Sequence, residues 1–107
     1  MDHLSQASSI TSDGKEFADK AIIGQHVLFI AEGTIKNYGD KSNITISDYC
    51  HIAGELAVNR LGGRISIGHH SFVGQQSRIW ATENISIGNY VLISHLVDIH
   101  DNDSHPI

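Results

Sequence analysis

The sequence predicts an all-β chain wound as a parallel solenoid of about four coils, and three observations carry that prediction. The triplets Ile44-Thr45-Ile46, Ile65-Ser66-Ile67 and Ile85-Ser86-Ile87 recur at separations of 21 and then 20 residues. A finer step of six runs inside each interval, through Ile46, Ile52 and Val58, then Ile67, Val73, Ile79 and Ile85, then Ile87, Ile93 and Ile99. The residue after the aliphatic is often small, as at Gly24, Ala53, Gly68, Gly74, Gly88 and Ser94. A helix repeats at about 3.6 and a half-buried strand at 2, so neither explains a sustained six. A small antiparallel sandwich would alternate by two, with turns every 8–12 residues or so.

Each element follows from that period. Residues 1–22 are less regular, and Leu4, Ile10 and Phe17 suggest an N-terminal segment or imperfect capping coil before the solenoid of 23–107. The coils then run 23–45, 46–66, 67–86 and 87–107, the first announced by the fainter series Ile23, Phe29 and Ile35. Each hexad is one short strand and a turn, and three hexads plus two linking residues close a 20-residue coil. The aliphatic side chains point inward, and stacking lines up Ile46, Ile67 and Ile87 as one ladder that no single coil could bury alone. Small residues stand where the chain bends and a Cβ would crowd. The interval from Ile23 to Ile46 is 23 residues, which predicts a loop around Lys36–Ser42.

The same arithmetic assigns the outward columns. His26, Tyr49, His70 and Tyr90 share one corner and should stack their rings without chemistry. Arg78 and Asp98 lie one coil apart in one column, which predicts a modest ion pair. Asn59, Trp80 and His100 are read as another outward column, with Trp80, the single tryptophan, set for a cleft or an interface between subunits. Cys50 falls in the second inward column with Ser71 and Val91, so it reads as a buried, inert thiol.

Composition narrows the function classes. Seven basic against twelve acidic side chains give a formal charge of −5, which argues against nucleic-acid binding. Charged residues at 18% and hydrophobic ones at 40% exclude intrinsic disorder, and 107 residues suffice for one domain with a modest core. No apolar run approaches the roughly 18 residues of a membrane span. Met1-Asp2-His3-Leu4-Ser5-Gln6 lacks the features of a secretory signal. One cysteine cannot form an internal disulfide, and together these features predict a cytoplasmic protein.

The hexads Ile-Gly-x-x-Ser-x and Ile-Gly-x-x-Val-x resemble the hexapeptide-repeat transferases, over about residues 23–107. The most specific stretch is Ile87-Gly88-Asn89-Tyr90-Val91-Leu92-Ile93-Ser94-His95, followed by Val97 to Ile107 with Ser104-His105-Pro106 near its end. It looks like the segment of maltose, galactoside and cell-surface polysaccharide O-acetyltransferases that ends in a Gly/Ser/Asp-His-Pro tripeptide. The resemblance implies a left-handed parallel β-helix, an exception to the right-handed crossover rule. It also implies a homotrimer with active sites between subunits, acetyl-CoA as co-substrate, a sugar or polysaccharide hydroxyl as acceptor, and no metal. The family's catalytic base maps onto His105. Histidine suits the task because its ordinary pKa, about 6.5, lies near the operating pH. Asp101, Asp103 or a backbone carbonyl would orient its ring, and Pro106 would stiffen the backbone beside it. His100 and Trp80 are candidates to line the acceptor cleft.

Two other readings stand beside this one. His95 and His100 form a His-x-x-x-x-His pair similar to that of β-helical, γ-type carbonic anhydrases, where three histidines hold zinc. Here Asn59, Gln75 and Gln76 occupy the plausible places for a third ligand, while His69 and His70 belong to another corner. The remaining reading is a non-catalytic trimeric scaffold. The chain also departs from the acetyltransferase pattern. Gly74 and Ala81 stand where galactoside- and maltose-type enzymes carry an Asn and an Asp that contact the acceptor, which points to a different sugar. Two residues follow His105, so either the sequence is a fragment of a longer enzyme or a neighbouring chain caps the last coil.

Overall fold

The computed structural model describes residues 11–59 and 63–101, and it is a parallel β-solenoid of about four turns. Three flat faces wrap one core. The first face stacks Leu28–Ile30, His51–Ile52, Phe72–Val73 and Leu92–Ile93. The second stacks Thr34–Asn37, Glu55–Val58, Arg78–Ala81 and Asp98–His100. The third stacks Ile22–Ile23, Ile44–Ile46, Arg64–Ile67 and Asn84–Ile87. All pairings within these faces are parallel. Among the described residues the one antiparallel element is Thr11–Ser12, which folds back along Leu28–Ile30 at the N-terminal end of the first face.

The aliphatic columns follow from the strand register. Ile23, Ile46, Ile67 and Ile87 stand one above another on the third face, and Phe29, Ile52, Val73 and Ile93 on the first. Ile46, Ile52, Ile67 and Val73 are at most 1% exposed, so the centre of the stack is dry. Phe17, on the short 3-10 helix Lys15–Phe17, sets its ring 4.9 Å from that of Phe29 and covers the first coil. The second inward column is partly polar and fully bonded. Ser71 Oγ donates to Gly88 O at 2.8 Å and accepts from Val91 N–H at 3.0 Å. Ser77 Oγ donates to Ser94 O and accepts from Val97 N–H, repeating the pattern at the next corner. Cys50 completes it as predicted, fully buried, with its Sγ donating to Gly68 O at 3.0 Å.

Glycine and corner conformation turn out to be separate matters. The left-handed backbone is carried by His26, Tyr49, His70 and Tyr90 at one corner, with φ between 59° and 62°, and by Ala31, Gln76 and Leu96 at the next. Gly24, Gly68 and Gly74, which follow inward aliphatics, serve close approach instead. A Cβ on Gly74 would lie 2.5 Å from Ser94 O, in the coil above. The ring ladder expected at the first corner is present. His26 on Tyr49, Tyr49 on His70, and His70 on Tyr90 stack at 4.7–5.0 Å, with planes within 15°.

Two registers differ from the six-residue reading. The loop expected at Lys36–Ser42 begins later, because Lys36 and Asn37 belong to the second face and the bulge holds the 3-10 helix Lys41–Asn43. The second coil also cuts its corner. Leu56, not Val58, continues the column of Ile35, Ile79 and Ile99. Only Ala53-Gly54-Glu55 separate Ile52 from Leu56, where five residues separate Val73 from Ile79. Trp80 therefore pairs with Ala57 and His100, and Asn59 lies outside their column.

Candidate functional site

The second face carries the groove that gathers the sequence-selected residues. Strand alternation turns Arg78 and Trp80 outward while Ile79 and Ala81 are buried, and Asp98 and His100 repeat this one coil later. Parallel register sets Arg78 beside Asp98 and Trp80 beside His100. Asn59, Thr82 and Ile99 complete the lining of a groove of about 310 Å³. That volume sits at the low end of the range of about 300–1,000 Å³ for small-molecule sites, and suits one sugar ring or acyl group.

The polar groups here are tied together. Arg78 Nε meets Asp98 Oδ1 at 3.2 Å, the ion pair expected from the column. Its guanidinium carbon stands 4.9 Å from the centre of the Trp80 ring. Trp80 Nε1–H donates to Glu55 Oε2 at 3.0 Å, and Glu55 Oε1 faces Lys36 Nζ at 3.6 Å. Four charges thus alternate along the face in two pairs, so the groove offers hydrogen-bonding groups with little net charge. The indole is fixed at its nitrogen and by Arg78, yet Trp80 stays 36% exposed.

Asp101 is tied to the groove residue Thr82 and the two residues after it. Its Oδ1 accepts from Thr82 N–H at 2.8 Å and Thr82 Oγ1–H at 3.0 Å, and its Oδ2 accepts from Glu83 N–H at 2.8 Å and Asn84 N–H at 2.6 Å. Burial alone would push this carboxyl up, but the three backbone donors and the Thr82 hydroxyl outweigh it and hold it below its ordinary value. Asp101 thus binds the chain leaving the groove to the corner of the coil beneath.

Of the residues singled out from sequence, Trp80 and His100 share the groove and Asp101 borders it; Asp103 and His105 lie outside the described residues. His95 sits at the second corner, its Nδ1 3.4 Å from Ser94 Oγ, and is not among the groove residues. Among the described residues no group of three or more His, Cys, Asp or Glu converges to hold a metal, so the zinc reading gains no support from them. No described helix is long and apolar enough to cross a membrane. Sequence reasoning missed Glu55 and Thr82. Glu55 reaches Trp80 across 25 residues, through the shortened corner that the six-residue count does not anticipate.

Fold and site together define a class: a parallel β-solenoid, compatible with a hexapeptide-repeat helix, with a polar, aromatic-floored groove on one face. No known protein family, curated protein or solved structure matches the chain.

Proposed function

We propose that this chain is a hexapeptide-repeat O-acetyltransferase, wound left-handed, that moves an acetyl group from acetyl-CoA to a hydroxyl of a sugar or surface polysaccharide in the cytoplasm. The observation that carries the reading is the pairing of Trp80 with His100 in a groove also lined by Thr82, which bonds Asp101, four residues before His105 in sequence. An exposed indole edged by Glu55, Arg78 and Asp98 suits a sugar, which presents apolar ring faces and hydroxyl rims together. His105 accepts the acceptor hydroxyl's proton as its oxygen attacks the thioester carbonyl, then returns the proton to the departing thiolate. The reading includes a homotrimer in which a neighbouring copy supplies surface for the coenzyme.

The test is release of coenzyme A thiol from acetyl-CoA in the presence of a panel of sugars and oligosaccharides. Activity with at least one acceptor, lost by at least about 100-fold in His105→Ala, is the expected result. Wild-type turnover by His105→Ala would remove His105 from the reaction.

A further inference from the structure

We propose that His69 and His70 form a two-imidazole chelate for a divalent transition-metal ion of tetragonal preference, at the corner opposite the Trp80 groove. Their Nδ1 atoms stand 3.0 Å apart. With the hydrogen of one ring on Nδ1 and the other ring bare there, the contact is an N–H···N hydrogen bond, and a metal ion taking the place of that hydrogen would engage both nitrogens. A proton or a metal ion satisfies the same geometry. With metal–nitrogen bonds of about 2.0–2.1 Å, a separation of 3.0 Å subtends about 95° at the ion. That angle is close to the roughly 90° of tetragonal Cu(II) or Ni(II), and well short of the roughly 109° of tetrahedral zinc.

The fold holds both rings before any ion arrives. His70 stacks between Tyr49 and Tyr90, its centroid 5.0 Å from each. His69 stands edge-on to His70 and to Tyr90, at 5.2 Å from both. Their backbones are tied as well: His69 N–H donates to Asn89 Oδ1 at 2.9 Å and His70 N–H to Asp48 O at 3.1 Å. Rings fixed in this way lose little freedom on coordination. Beside them opens a hollow of about 500 Å³ lined by Thr45, Ser47, Asp48 and Tyr49, with room for water ligands. The Asp48 carboxylate lends the hollow a compensating negative charge. The site stands apart from the groove and does not rest on the transfer reading.

Copper sulfate titrated into the full chain in a weakly coordinating buffer tests the proposal. His3→Gln is kept in every sample, so that the amino-terminal Met1-Asp2-His3 segment does not compete. Calorimetry should give one ion per chain, and electron paramagnetic resonance an axial spectrum with two imidazole nitrogens. His69→Gln and His70→Asn should each weaken binding by at least about 10-fold, Asn being chosen because it tolerates the φ of 59° at this position. Matching thermal melts would show that both variants fold. Undiminished affinity in both variants overturns the proposal. So does paramagnetic broadening centred on His95 and His100, or no binding at micromolar copper.

Discussion

Alanine at Gly68 should destabilise the fold, because this glycine follows Ile67 at a corner over which the next coil closes. A Cβ on Gly68 would strike Asn89 Oδ1 and come within 2.6 Å of Gly88 C and 2.7 Å of Asn89 N. The last two are backbone atoms that no rotamer change can clear. The coil must shift, straining the 2.8 Å bond from Gly68 N–H to Ile87 O and the 2.9 Å bond from His69 N–H to Asn89 Oδ1. Overpacking of this kind plus a weakened hydrogen bond, less the entropy that alanine removes from the unfolded chain, leaves a net loss of about 2 kcal/mol. For a domain of this size that lowers the melting temperature by roughly 8–16 °C. Thermal unfolding followed by far-ultraviolet circular dichroism measures the shift. An unchanged or raised melting temperature would refute the idea that inter-coil approach, rather than chain bending, selects glycine here.

Two further outcomes follow from the titrating groups. Asp101 is held below its ordinary pKa in the folded state, so its contribution is present above the ordinary carboxylate range and lost as pH falls through the folded value. Asp101→Asn should lose about 1 kcal/mol near neutrality, after allowance for solvent screening, and the gap in urea midpoints should close in strong acid; a gap that persists there refutes the assignment. Burial pushes the Cys50 thiol up, so iodoacetamide should label it only after denaturation, and labelling of the native chain at a free-thiol rate would contradict the packing.

Much of the fold was legible because the six-residue period reports directly which side chains face inward. Ile46, Ile67 and Ile87, the ring ladder, buried Cys50 and the Arg78–Asp98 pair all follow from counting along coils of equal length. Counting failed where a coil changed length, at Ile52 to Leu56, and that displaced Asn59 from the column of Trp80. It also could not show that Tyr49 and Gln76 would take left-handed backbone while Gly68 and Gly74 stayed out of it. Their conformation is set by the turn, whereas Gly68 answers to the coil above, which sequence neighbours do not reveal. The site was half legible. Trp80 and His100 stood out by residue type, but Glu55, the partner that fixes the Trp80 nitrogen, is specified by inter-coil register.

The shortened corner at Ala53-Gly54 has a consequence for how such a chain tolerates changes of length. The second coil omits two residues between the first and second faces, yet by Ile65 and Ile67 its third face is back in line with Ile44 and Ile46. The compensation occurs within the same turn, in the stretch between Val58 and Arg64. A deletion at one corner balanced by an insertion at the next therefore leaves all later columns in phase. In an antiparallel hairpin, a one-residue slip reverses every side chain beyond it. Here an error in length is confined to one turn, and on the described surface of that corner it leaves a notch, the small hollow of about 150 Å³ between Glu32, Gly54 and Gln76. The groove could accordingly be reshaped at its corners without disturbing the core that supports it.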